Sequence, residues 1–160
     1  MSGFPEYWMT TTRRSLLLLP VSWAYRLVFA ARAWAYRLGL YRRSAVGAPV
    51  LIVGNIFVGG TGKTPVVLWL ALYLQSLGWR PGIVTRGYGG TATDWPRHVS
   101  RDSDPYEVGD EAVLLARRTG SPVVASPDRV AGAKALVEAA NCDVVVSDDG
   151  LQHQALARDM

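Results

Sequence analysis

Short apolar runs alternate with stretches of helical periodicity along most of this chain. Val50–Val53 predicts a strand, Thr64–Leu77 a helix and Gly82–Thr85 a second strand. Asp110–Arg118 predicts a helix with Val113, Leu114 and Ala116 apolar; Pro122–Ala125 reads as a strand, Asp128–Ala140 as a helix and Asp143–Ser147 as a further strand. Strand–helix alternation of this kind predicts an α/β fold, a parallel sheet with covering helices and right-handed crossovers. Ligands in such sheets gather at the carboxyl ends of the strands, where the loops after Val53, Thr85 and Ser147 lie. Arg86–Val108 is rich in Gly, Asp, Pro and Ser and reads as one long loop. Loops of that length inside a compact domain are more often functional than structural, which makes it a candidate lid or substrate loop.

The amino-terminal pattern is different. Residues 15–41 are apolar and aromatic but interrupted by Arg26, Arg32 and Arg37, and the longest charge-free run, Ser15–Tyr25, is eleven residues. That is too short to span a bilayer. A cleaved signal peptide also fits poorly, because no small-residue cleavage site follows the apolar run. WAYRL occurs twice, at Trp23–Leu27 and Trp34–Leu38. On a helix, the eleven-residue offset puts both copies on nearly one face, about 16 Å apart. Trp, Tyr and Arg favour a lipid headgroup zone, so an amphipathic interfacial helix on an anionic membrane surface is expected. Arg32 falls near the Tyr25/Phe29/Tyr36 side, and a core helix with snorkelling arginines is the competing reading. Arg42–Pro49 reads as a linker. The expected division is therefore residues 1–44, a membrane-interface segment, and 45–160, a nucleotide-binding domain.

Charge supports that division. Residues 1–48 hold seven arginines against one acid, a balance of +6, whereas residues 49–160 hold ten basic and twelve acidic residues, a balance of −2. The basicity belongs to the amino-terminal segment, and no basic stripe with interleaved aromatics follows residue 49, so nucleic acid is not an expected partner. At 49% hydrophobic and 19% charged, the chain has the composition of a folded protein. The single cysteine, Cys142, excludes an internal disulfide and reads as core rather than nucleophile. His98 and His153 have no cysteine companions and do not make a zinc pattern.

The most specific chemistry lies in PVLIVGNIFVGGTGKTP, residues 49–65. A strand feeds a glycine-rich loop ending in Gly62-Lys63-Thr64, and a helix follows at once. This is the context of a phosphate-binding loop, and the fold expected is P-loop NTPase-like. Backbone N–H groups from Val58, Gly59, Gly60, Thr61 and Gly62 turn inward on an anion where no side chain obstructs them. Lys63 is placed to reach the β- and γ-phosphates of ATP, and the Thr64 hydroxyl to hold Mg²⁺. The general pattern asks for glycine where Phe57 stands.

Three further constellations sit at expected strand ends. Asp148 and Asp149 follow an apolar strand in VVVSDDGLQH, which suits a carboxylate that holds Mg²⁺; a turn or helix-capping pair is the alternative. Asp110 and Glu111 open a helix, where acids also simply complement the dipole. Arg86, in TRGYGG, suits bidentate contact with phosphate or a solvated loop position. Arg129 begins a helix and faces phosphate or solvent. His153, near the acidic pair, orients a carboxylate or lies at the surface.

Taken together, VGNIFVGGTGKTP, TRGYGG, GDE, ASPDR and SDDGLQH, in this order and spacing, resemble the tetraacyldisaccharide 4′-kinases of lipid A biosynthesis. The resemblance runs over essentially the whole chain, including a basic, aromatic amino-terminal helix. It implies ATP-dependent phosphorylation of the 4′-hydroxyl of an acylated glucosamine disaccharide at the cytoplasmic face of the Gram-negative inner membrane. It also implies roles: Lys63 and Thr64 serve ATP and Mg²⁺, and Asp110 deprotonates the acceptor hydroxyl. Glu111, Asp148 and Asp149 form the metal and electrostatic group, with Thr64, Glu111 and Asp148 as the metal set. Arg86, Arg129 and His153 fall in the same site. Phe57 is tolerated in that family, and Ala112 stands where proline is expected. Family members are about twice as long, so the resemblance implies that these 160 residues are an amino-terminal piece. No protein partner is expected. Two other classes share parts of the pattern. One is a regulatory P-loop ATPase of the deviant Walker type, although Asn55–Val58 lacks the second lysine of that class. The other is a non-catalytic membrane-surface fragment.

Overall fold

The computed structural model describes residues 19–38, 40, 44–54, 62–151, 155–157 and 159. The chain forms two compact units, residues 1–42 and 43–160. In the first, α1 spans Leu19–Arg37 and leaves Trp23, Tyr25, Leu27 and Trp34 exposed. Tyr25 and Phe29, one turn apart, stack with ring centroids 6.2 Å apart. Among the described residues no helix is long and apolar enough to cross a membrane.

The second unit is a five-stranded sheet with helices on both faces. Its elements run β1 (Val50–Val53), α2 (Lys63–Ser76), β2 (Pro81–Thr85), β3 (Arg97–Val99), α3 (Pro105–Val108), α4 (Asp110–Thr119), β4 (Val123–Ala125), α5 (Arg129–Ala140) and β5 (Val144–Asp148). The sheet order is β1-β5-β2-β4-β3, with β3 antiparallel at one edge and the other four strands parallel. Every residue of β2, β4 and β5 is buried, as expected of parallel strands covered on both faces. The period of two sorts their side chains into two cores. Ile83, Val123, Ala125 and Val146 pack beneath α2 and α4 with Val67, Ala71, Val113 and Leu115. Val84, Val124 and Val145 pack beneath α5 with Ala133, Leu136 and Cys142. Gly132 lets α5 approach closely, since a Cβ there would stand 2.7 Å from Val84 Cγ2.

Two segments depart from the sequence reading. The expected loop 86–108 contains β3 and α3. The expected linker is also structured, because Val46 is buried in the α5-side core and Ser44 bridges in parallel to Leu156. The elements in the first are too short to show periodicity, and β3 and the Ser44–Leu156 bridge each pair with residues distant in sequence.

Candidate active site

β1 and β5 are adjacent and parallel, with Val53 opposite Asp148. Their carboxyl ends bring the residues that follow them together. The Asp149 N–H donates to the Val53 carbonyl at 2.9 Å, and Asp149 takes a left-handed φ of 55°. Across from it, Gly62 (φ +75°) starts α2 and presents Lys63 in the first turn. A left-handed turn suits glycine, which lacks the Cβ that opposes it. Lys63 Nζ lies 2.6 Å from Asp149 Oδ1, a contact between residues 86 apart in sequence. Thr64 follows in the same turn, half-buried. Val58, Gly59, Gly60, Thr61 and Phe57 of the loop, and His153, lie outside the described residues.

Asp148, the last residue of β5, is 3% exposed, and its Oδ1 has no hydrogen-bond partner. Burial pushes its pKa up to about 6; Glu111 and Asp149 push the same way, and Lys63 and Arg129 oppose them. Glu111 of α4 therefore reaches the field of Asp148 from a separate element. A buried carboxylate with a free oxygen, facing a second carboxylate, is a site short of positive charge. Together with the Thr64 hydroxyl this all-oxygen set fits a hard cation such as Mg²⁺. No group of three or more His, Cys, Asp or Glu gathers in ligating geometry among the described residues.

Arg129 is 1% exposed, which rules out the solvent-facing reading of it. Its Nη1 donates to the Ser126 carbonyl at 2.5 Å and its Nη2 to the Asp148 carbonyl at 3.2 Å, tying the ends of β4 and β5 together. Burial lowers its pKa, Asp148 and Asp149 oppose that, and Arg86 adds to it. Its Nε has no partner, nor does the buried Ser147 Oγ. Arg86 is thus close enough to act on Arg129, and stays exposed at the end of β2.

Asp110 opens α4 beside Glu111, whose N–H donates to Asp110 Oδ1 at 2.9 Å. It is exposed and lines a cavity of about 500 Å³ with Tyr88, Gly89, Pro105, Tyr106 and Gly109. Tyr88 and Tyr106 present their rings to solvent there. Sequence reasoning missed both tyrosines; the signal available for Tyr88 was its place in TRGYGG at a strand end. It also missed Asp128, which caps α5 by accepting from the Val130 and Ala131 N–H groups, although Asp before a helix is the usual sign.

The family model for tetraacyldisaccharide-1-P 4′-kinase (LpxK) matches residues 14–160. The chain belongs to this family. A tetraacyldisaccharide 4′-kinase of Alkalilimnicola ehrlichii is 56% identical over 160 residues, covering 99% of this chain and 48% of the relative. One from Nitrosococcus oceani is 53% identical over 155 residues, covering 97% of this chain and 46% of the relative. The crystal structure of LpxK from Aquifex aeolicus, solved in complex with ATP, superposes with a TM-score of 0.80 at 36% identity, over 89% of this chain and 46% of that one. The fold is therefore that of LpxK, and the chain spans about half the length of the curated relatives it matches.

Proposed function

We propose that this chain is the nucleotide-binding half of an ATP-dependent kinase that phosphorylates the 4′-hydroxyl of a tetraacylated glucosamine disaccharide 1-phosphate in lipid A biosynthesis. The observation that carries the reading is the meeting of Lys63 with Asp149 beside the buried, unpartnered Asp148, at the tips of two adjacent parallel strands. It assembles a cation for phosphate and carboxylates for a metal at the place where such sheets bind ligands. Relatives named as 4′-kinases and a neighbour solved with ATP support it.

In this reading Gly62, Lys63 and the loop before them, Val58–Thr61, hold the triphosphate. Thr64, Asp148 and Glu111 would hold Mg²⁺, which would supply neutralising charge for the transferred phosphate. Lys63 leaves Asp149 for phosphate, which frees that carboxylate within the site. Arg129 holds the strand ends that carry Asp148, and Arg86 and His153 supply further contacts around the transferred group. Asp110, facing the open cavity, accepts the proton of the acceptor hydroxyl. Transfer is in line, and positioning contributes more than covalent chemistry. The acceptor is a membrane lipid, so the enzyme works at the cytoplasmic face of the Gram-negative inner membrane. Helix α1, with its exposed Trp23, Tyr25 and Trp34 and the net positive charge of its segment, lies on the anionic surface.

The test is transfer of labelled phosphate from ATP to the lipid disaccharide, in a chain extended to the length of its relatives. Lys63→Ala is expected to abolish transfer and weaken ATP binding. Asp110→Ala is expected to lower transfer by about 10²-fold or more while leaving ATP affinity unchanged. Equal loss of ATP affinity in both variants refutes the role of Asp110; ATP hydrolysis that ignores the lipid refutes the kinase.

A further inference from the structure

Two strand exits meet at the site, and one side chain lies between them. Gly54 follows β1 and leads into residues 55–61; Asp149, Gly150 and Leu151 follow β5. A Cβ at Gly54 would stand 2.4 Å from Leu151 Cγ and 2.6 Å from its Cδ1, so Leu151 fills the space in which any other residue at 54 would carry its side chain. The φ of Gly54 lies outside the left-handed region. Its backbone suits any residue, and it is Leu151 that asks for glycine there. The two residues before Leu151 close the same seam. The Asp149 N–H donates to the Val53 carbonyl at 2.9 Å. A Cβ at Gly150 would stand 3.0 Å from Ile52 Cγ2 and 2.6 Å from the buried Ser147 Oγ. Three consecutive residues after β5 thus lie against three consecutive residues at the end of β1. Leu151 is 42% exposed, so its contact with Gly54 adds little to the core.

We infer that Leu151 is a positioning residue for nucleotide binding: by lying on the bare backbone of Gly54 it sets where the phosphate-binding loop leaves β1 and, in the same contact, where the turn carrying Asp149 sits. The inference rests on the proposed kinase reading, in which that loop holds the triphosphate. The coupling serves the chemistry. The loop and Lys63 come from the β1 side, and Asp148 and Asp149 from the β5 side, yet Lys63 Nζ lies 2.6 Å from Asp149 Oδ1. Cation and carboxylates that act on the same phosphates therefore arrive on two separate exits, and their register has to be held. A misplacement of about 1 Å at such a site costs up to about 10²-fold. A smaller side chain at 151 leaves Gly54 uncovered and lets the exits drift. A side chain at 54 meets Leu151 and pushes them apart.

The experiment measures binding of a fluorescent ATP analogue with Mg²⁺ to this chain, and amide hydrogen exchange without nucleotide. Leu151→Ala and Gly54→Ala are each expected to weaken binding about tenfold. Without nucleotide, each should speed exchange at the Asp149 amide about tenfold while the β2 amides keep the parent rate. Leu77→Ala, at a leucine 57% exposed at the carboxyl end of α2, should change neither. The deciding variant combines Gly54→Ala with Leu151→Ala, so that the added methyl enters the space the leucine vacates. It is expected to bind no more than about tenfold more weakly than the parent, whereas independent sites would multiply to about a hundredfold. A multiplied loss overturns the inference. So does exchange that rises equally at the β2 amides, which marks a general loss of stability. Parental affinity in Leu151→Ala refutes the positioning role alone and leaves the kinase reading in place. A parent that binds no nucleotide, both as this chain and extended to the length of its relatives, refutes the kinase reading and the role with it.

Discussion

Asp148 ends a strand that is buried on both faces, the residue is 3% exposed, and Oδ1 has no donor. Its pKa is raised from the usual carboxylate range to about 6, first by burial and then by Glu111. The sign of the consequence follows. Between about pH 4 and pH 6 the folded chain holds a proton that the unfolded chain has released, so the stabilisation is complete below the unfolded value and is lost as pH rises through about 6. The loss is on the order of 3 kcal/mol at neutral pH. Without nucleotide or divalent cation, the urea midpoint is expected to fall from pH 5 to pH 7.5. Asp148→Asn should flatten that dependence and raise the midpoint at pH 7.5. An Asn variant with the same pH slope as the parent would show that Asp148 is not its source. Magnesium should recover stability at pH 7.5 in the parent and not in the variant. The acidic pair was legible in the sequence, because two acids directly after an apolar run have few structural reasons to be there. Arg129 was not. Its place at a helix start reads as solvent or ligand, and only the fold shows that the carbonyls of Ser126 and Asp148 converge on it.

The segment from Arg86 to Val108 shows what patterning misses at the level of elements. It read as one loop, yet it holds β3 and α3, three and four residues long, below the length at which periodicity speaks. Non-local bonds bind its two ends. The Thr91 N–H and hydroxyl both donate to the Tyr106 carbonyl at 2.9 Å, and the Ala92 N–H donates to Glu107. Arg97 pairs with Asp94 and with Glu107. The turn carrying Tyr88 is thereby fastened to the turn before Asp110. Gly109 sits at that junction with φ +91°, and a Cβ there would stand 2.6 Å from the Tyr88 carbonyl oxygen. Gly109→Ala therefore meets both backbone strain and a rigid neighbour, with an expected loss of about 2–4 kcal/mol in urea unfolding. In the extended enzyme the same change should lower transfer more than it weakens ATP binding, because it shifts Asp110 and spares Lys63. A loss no larger than that of Gly89→Ala, where a Cβ would meet nothing within 4 Å, would show the contact relaxes freely.

At the scale of the whole molecule, the strand–helix alternation was enough to predict the parallel sheet. The order β1-β5-β2-β4-β3 was not legible, because the apolar runs carry no signal of which neighbour each will choose. Nor was the role of residues 155–157 and 159, which carry no strand or helix pattern. They run beside the edge of the sheet. Ser44 N–H donates to Ala155, Ala157 N–H to Ser44 and Asp159 N–H to Val50, while Asp159 Oδ2 accepts from the Val50 N–H. An edge strand left bare invites pairing with another chain, and here the two hydrogen bonds between Val50 and Asp159 occupy the start of β1. Leu156 is 1% exposed and packs in the α5-side core that includes Val46, Val50 and Val145. This makes the segment part of the core rather than a tail. Leu156→Ala should therefore cost about 2–5 kcal/mol in urea unfolding, the range of a buried leucine truncated where the surroundings relax only in part. Leu114→Ala, at a leucine 43% exposed on α4, should cost well under half as much. If the two variants lose equal stability, the last residues do not close the core, and the order at that edge of the sheet must come from elsewhere. If Leu156→Ala also exposes β1, native-state hydrogen exchange at the Val50 amide should rise with it, whereas the β2 amides at the centre of the sheet should follow only global unfolding.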